Sequence, residues 1–421
     1  MQMKTLTTPA VALTLSALAQ TATADEIDFL CYQDGTECDV IAELSARFTE
    51  ETGHVVNTNI VSYEVIRDQL LKQLQAGDTV PDLARVTDLG GMAPYFLDIA
   101  PYVDSAYYEA NFAATLPWMR PAGDTAGIYG WPGMGATGPF VNLTMFEDAG
   151  VDVPEAGATW DDWVTALTEV KDTLGLDAAF ALDRTAHRWA GPAFSFGAKF
   201  MDDTGEPILV DDGFRTIAEL FIDWHKSGFM PVEGWPAGAG TSFRNAAPLF
   251  LNGQVAMHFG GSWLINSYDS NITDFDWKAV PVPCGEGGCG AMVGGPAVAG
   301  FKSTDHPEAV AKFIDFMARE DIGAEYHAKT QSIPAHAGLQ QTGIEYQGAS
   351  ARVADALNVF ADNALKAATT TPQAFAFQGY PKNFVIYGVV PDYLTKAING
   401  EVSLDEALAA IDADVKAKIA E

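Results

Sequence analysis

The chain has 421 residues, more than one hydrophobic core usually organises, and 48% of them are hydrophobic, enough for two. Its 56 acidic residues outnumber 24 basic ones, giving a formal charge of -32 without a long acidic block. Such a field opposes nucleic acid and anionic membrane as partners, and it names no ligand.

Lys4 precedes an apolar run at 9–19, and Ala22-Thr23-Ala24 has the small-residue pattern that a signal peptidase cuts. Residues 1–24 therefore read as a cleaved leader. The run is shorter than a membrane span of about 18–20 apolar residues, and no other stretch approaches that length, so an exported chain without direct membrane insertion is expected. Beyond it, 27–32 reads as a strand, 40–51 as an amphipathic helix ending at Gly53, 55–61 as a strand, 63–76 as a helix and 81–86 as a strand. This βαβαβ order implies a parallel sheet whose ligands lie beyond the carboxyl ends of the strands. The loops there carry Gln33-Asp34-Gly35 and Thr87-Asp88.

A glycine-rich passage containing Trp131 covers 129–138 and leads to a strand at 139–143. Thr159 caps a helix whose Trp160, Trp163, Val164, Leu167 and Val170 share a core face. A helix follows at 214–226. The segment 255–259 reads as a buried strand, Gly260-Gly261-Ser262 as a sharp turn, and Trp263 as the head of the next element. A strand at 277–282, a second glycine-rich passage at 285–295 and a strand at 298–301 come next. Glycine-rich stretches at two separated points suggest crossings between two lobes, with a third near Ile333-Pro334. Helices at 351–367, 383–398 and 403–419 have polar outer faces and read as scaffold.

Four cysteines in an exported chain fit two disulfides, with three pairings open. The local pairs Cys31/Cys38 and Cys284/Cys289 would each close a short loop beside a strand. A metal site is not expected, because no CxxC pair or nearby histidine cluster completes a tetrahedral set.

Catalytic motifs are mostly missing: there is no HExxH, GxxxxGK[ST], GxSxG or GxGxxG. A secreted glycoside-cleaving enzyme stays open, since such chemistry needs only two facing carboxylates. Asp88, after the third strand, is placed to accept sugar hydroxyls or simply to cap its loop. Gln33 and Asp34 hold the equivalent place after the first. Trp131, Trp189, Trp235, Trp263 and Tyr380 lie near turns, where a flat ring suits stacking on a sugar; Trp263 reads equally as core. Trp189 follows His187-Arg188 in what reads as a polar loop. Arg188 or Arg244 could hold an anionic group, although surface ion pairs explain arginines as well. His258 reads as a packed or hydrogen-bonded strand residue.

The ordered motifs complete a pattern. They are Phe48-Thr49-Glu50-Glu51-Thr52-Gly53, Pro81-Asp82, Trp131-Pro132 followed by Asn142 to Gly150, Thr159-Trp160-Asp161-Asp162, Asn252-Gly253-Gln254-Val255-Ala256-Met257 through Gly261-Ser262-Trp263, and Gly294-Gly295 before a strand. Together they resemble the extracellular solute-binding proteins of carbohydrate ABC transporters, in the maltose-binding-protein-like cluster. The resemblance implies an α/β fold of two lobes, a type II periplasmic-binding-protein fold joined by a multi-segment hinge. It places 25–137 with 292–335 in the N-terminal lobe and 138–291 with 336–421 in the C-terminal lobe. It implies a periplasmic monomer that binds a disaccharide or glucoside, needs no cofactor, and hands its ligand to two ABC permease subunits. It also implies that Trp263 stacks on the sugar, that the Thr87-Asp88 loop supplies a hydroxyl-binding carboxylate, and that Gly294-Gly295 lie at the site. A phosphorylated or sulfonated sugar is the alternative ligand. Ala136 stands where the maltose-binding branch carries an acidic sugar contact, and Val141 where it carries tyrosine, so maltodextrin specificity does not transfer.

Overall fold

A computed structural model describes residues 24–202 and 205–420; the expected leader lies outside the described residues except for Ala24. Two mixed sheets organise the chain. In the first, the spatial order is Val55–Ile60, Glu26–Cys31, Leu83–Val86, Ala297–Gly300, Trp131–Pro132. Glu26–Cys31 runs parallel to both its neighbours, as the βαβαβ reading requires, while Ala297–Gly300 returns antiparallel. This is the type II arrangement, in which a late strand joins the sheet of the first lobe. The second sheet runs Trp277–Ala279, Gly135–Asn142, Met257–Gly261, Phe180–Leu182, with Val293–Gly294 paired onto Gly135–Asn142.

Helix Glu37–Thr52 buries Ile41, Leu44 and Phe48, spaced one turn apart, and Phe48 meets Phe313 of helix Pro307–Ala318 edge-on at 5.2 Å. In the second lobe, Thr159 and Asp162 form a reciprocal capping box that fixes the start of helix Trp160–Leu174. Its Trp160, Trp163, Leu167 and Val170 are buried, as the periodicity requires, while Val164, expected on the same face, is half-buried at its edge. Among the described residues no helix is long and apolar enough to cross a membrane.

The crossing segments are stitched to each other. Thr137 donates its backbone N–H to Met292 (2.9 Å), and Met292 donates back to the Thr137 hydroxyl (2.8 Å). A further passage starts at Gln331, whose φ of 50° ends helix Glu320–Thr330. The disulfides are the two local ones, Cys31–Cys38 and Cys284–Cys289.

Three local readings change. The expected turn at Gly260-Gly261 is the end of strand Met257–Gly261: Gly260 and Gly261 pair with Gly138 and Thr137, and Val255 and Ala256 precede the strand. Gly261 is needed there for space, because a Cβ would run into the Trp263 indole. The expected helix at 63–76 opens with a π-helical turn, Val65–Leu70, before Leu71–Ala76. The expected polar loop around Trp189 is a buried helix, Ala186–Ser195, with Pro192 inside it.

Candidate functional site

Between the sheets lies a cavity of about 370 Å³, walled by both lobes and floored by the crossing segments at Gly133–Gly135 and Gly294–Pro296. This is the size range of small-molecule sites.

On the first lobe, the loop after strand Glu26–Cys31 is bracketed by the Cys31–Cys38 disulfide and held from within. The Glu37 carboxylate accepts the backbone N–H groups of Asp34 (3.0 Å) and Gly35 (2.9 Å). Arg85, buried in the neighbouring strand, donates to the Tyr32 carbonyl (2.8 Å), lies 4.1 Å over the Tyr32 ring, and stands 3.7 Å from Asp34 and 3.9 Å from Glu37. One guanidinium thus satisfies a carbonyl and balances two acids. Tyr63 packs 5.0 Å from Tyr32 and its hydroxyl is 3.2 Å from that of Thr87. Across the mouth, Arg67 of the π-helical turn reaches within 5.9 Å of the Phe243 ring of the second lobe.

On the second lobe a polar chain runs from the core to the cleft. The Tyr268 hydroxyl shares a hydrogen bond with His258 Nδ1 (2.6 Å), and His258 Nε2 donates to Asp183 Oδ1 (3.1 Å), which also accepts the Ala246 N–H (2.8 Å). The other Asp183 oxygen is 3.4 Å from Arg188 Nε. Burial pushes the Asp183 carboxyl up, but the hydrogen bond and charge of His258 and the charge of Arg188 outweigh it and hold it below its ordinary value. Arg188 also donates to His187 Nδ1 (2.9 Å), and its guanidinium lies 4.2 Å over the Trp263 ring. Burial, then the Arg188 charge, lowers His187 well below the usual range, so His187 is a neutral acceptor.

Around this chain stand buried polar atoms with no hydrogen-bond partner: Asn266 Oδ1, Gln378 Oε1 and the Tyr387 hydroxyl. Asn266 donates one amide N–H to the Thr330 carbonyl (3.0 Å), and its oxygen is left unpartnered. Orphaned groups of this kind are costly unless something fills the space between them. All three residues line the cavity.

Of the residues expected from sequence, Asp34, Thr87, Trp263, Gly294 and Gly295 line the cavity together. The others do not. Gln33 is exposed outside it. Trp131 lies one layer below, edge-on to the lining Tyr326 at 4.9 Å. Trp189 is a core residue, fully buried and 4.6 Å from the Phe214 ring, because its helix turns that side inward. Asp88 turns back to cap its own short helix, accepting the Gly91 N–H (3.0 Å). Tyr380 sits where the lobes touch: a Cβ on Gly90 would come within 2.9 Å of the Tyr380 carbonyl and of Pro381 Cα. Arg244 is exposed and donates to the Ala237 carbonyl, whereas Arg188 does line the cavity. Sequence reasoning missed Arg85, Asp183, Asn266, Gln378 and Tyr387. Among the described residues no group of three or more His, Cys, Asp or Glu side chains is set to hold a metal ion.

Comparison with known proteins agrees with this architecture. An ABC transporter extracellular-binding protein of Pyrococcus horikoshii is 28% identical over 223 residues, 49% of this chain and 47% of that protein. An arabinooligosaccharide-binding protein of Bacillus subtilis is 24% identical over 280 residues, 64% of this chain and 63% of that one. The chain thus spans between about half and under two thirds of these curated relatives. In three dimensions, an ABC substrate-binding protein of Listeria monocytogenes solved with cycloalternan superposes with a TM-score of 0.77 at 17% identity, covering 94% of this chain and 100% of that one. That likeness bears on the fold. The family described as bacterial extracellular solute-binding protein matches residues 39–324, more than half of the sequence, and the chain belongs to that family.

Proposed function

We propose that this protein captures a neutral sugar, a disaccharide or glucoside, between its lobes and delivers it to the permease subunits of an ABC importer. The observation that carries this reading is the two-walled cavity of about 370 Å³ holding three unpartnered buried polar groups beside an indole. Hydroxyl groups both donate and accept, so one polyhydroxylated ligand satisfies the amide oxygens of Asn266 and Gln378 and the Tyr387 hydroxyl together. The protein acts in the periplasm as a monomer after cleavage near Ala24, and closes by a hinge motion at the crossing segments. Its first lobe comprises 25–137 and a second stretch from 292. We extend that stretch past 335, because His336 hydrogen-bonds Tyr107 (2.9 Å) and helix Ala337–Thr342 packs on helix Ser105–Phe112.

No turnover is expected. Of the acids lining the cavity, Asp34 and Glu37 share Arg85 and Asp183 is held by His258, so no pair of free carboxylates faces across the cleft. A phosphorylated or sulfonated ligand is disfavoured for a related reason: Asp183 already balances Arg188. A thermal-shift screen of monosaccharides, disaccharides, glucosides, polyols and sugar phosphates, followed by calorimetry, tests the reading. A raised melting temperature with a neutral sugar left chemically unchanged is the expected result; cleavage of the sugar, or a response confined to the phosphates, refutes it.

A further inference from the structure

The half-buried Trp263 indole already has close neighbours. The backbone of Gly261 packs so closely on it that no Cβ fits, and the Arg188 guanidinium lies 4.2 Å over the ring. Arg188 is not a loose surface side chain. Asp183 stands behind it at 3.4 Å, fixed in turn by the His258–Tyr268 pair, and His187 accepts from its Nη1 at 2.9 Å. A guanidinium stacked on an aromatic face and aligned by a carboxylate presents a pre-set fork of N–H donors along its edge.

Resting on the sugar-receptor reading above, we propose that Arg188, not Trp263, is the ligand-contacting group of this wall, and that its edge donates to two adjacent hydroxyl oxygens of a neutral sugar. Trp263 is then a positioning residue: it acts on the ligand through Arg188. Asp183 is the second positioning residue, and its negative charge makes the fork suited to a vicinal diol and not to an anion. The class of ligand selected is a sugar with an unsubstituted pair of neighbouring hydroxyls on the ring that meets Arg188.

A double-mutant cycle by calorimetry on the sugar identified in the screen separates the two roles. Expected is a loss of thirty-fold or more for Arg188→Ala, no more than threefold recovery in Arg188→Lys, and about tenfold loss for Trp263→Ala. In the Arg188→Ala background, Trp263→Ala costs less than threefold further. Trp263→Phe, which keeps a ring under the guanidinium, serves where the alanine variant melts too low to titrate, and it stays within threefold of wild type. In parallel, monodeoxy analogues lose affinity at two neighbouring positions on wild type and at neither on Arg188→Ala. Losses for Trp263→Ala that are equal in both backgrounds overturn the inference while leaving the receptor reading standing. A wild-type protein that binds no sugar in the screen overturns the receptor reading itself, and this inference with it.

Discussion

Asp88→Asn probes how lobe closure is coupled to protonation. The Asp88 side chain is 5% exposed, and its immediate helix rests on the second lobe, where Gly90 touches the backbone at Gly379 to Pro381. Burial raises its carboxyl from 3.8 to about 6, opposed only by the Gly91 N–H, and Tyr387 of the second lobe is close enough to feel its charge. An acid raised in the closed state contributes stability that is fully present below about pH 4 and is lost as pH climbs through about 6. About two pKa units correspond to a ceiling of ~3 kcal/mol, or ~100-fold in a closure equilibrium. It is a ceiling because part of the burial comes from Asp88's own lobe. Asparagine keeps an oxygen for Gly91 and removes the charge. Calorimetry at pH 5 and pH 8 is expected to show wild-type affinity weakening with pH and the Asp88→Asn profile flat, the variant binding more tightly at pH 8. Identical profiles for the two proteins refute the coupling. A higher melting temperature for Asp88→Asn at pH 8 without any change in affinity places the burial cost in folding, and refutes it as well.

Three further outcomes are expected. Gly90→Ala puts a methyl 2.9 Å from Pro381 Cα, so the lobes meet imperfectly: ligand affinity falls about tenfold, and small-angle scattering shows less compaction on adding sugar. Trp189→Ala loses about 3–5 kcal/mol by chemical denaturation, as large buried aromatics do, while the folded fraction binds with wild-type affinity. Reducing Cys31–Cys38, or Cys31→Ser with Cys38→Ser, relaxes the loop that carries Asp34 and Gly35; about 2–3 kcal/mol of stability goes by chain entropy, and affinity weakens with it. Unchanged affinity in that double serine variant would mean that Glu37 and Arg85 hold the loop alone.

Asp34 and Thr87 were legible in sequence because a parallel sheet delivers its ligand loops to known ends of known strands, and the glycine-rich crossings marked the floor at Gly294-Gly295. Gln378 and Tyr387 were not. They sit on helices Gln373–Gln378 and Asn383–Ile398, whose apolar residues pack both inside one lobe and toward the other, so periodicity does not tell which face meets the cleft. Arg85 and Asp183 were hidden because a charge at a buried strand shows no partner until the fold supplies one, 53 residues away at Tyr32 and 75 residues away at His258. Trp189 was misplaced because His187-Arg188 before it read as a polar loop, yet a helix runs through Ala186–Ser195 and turns the indole inward.

The chain from Tyr268 through His258 and Asp183 to Arg188 means that the ligand-facing wall is adjusted from inside the hydrophobic core. A substitution at Tyr268, fully buried and more than one side chain removed from any sugar, is therefore a route to altered ligand preference. Libraries confined to cavity-lining positions would never sample it. Within such a family, drift at an interior tyrosine can retune a receptor while every contact residue stays the same.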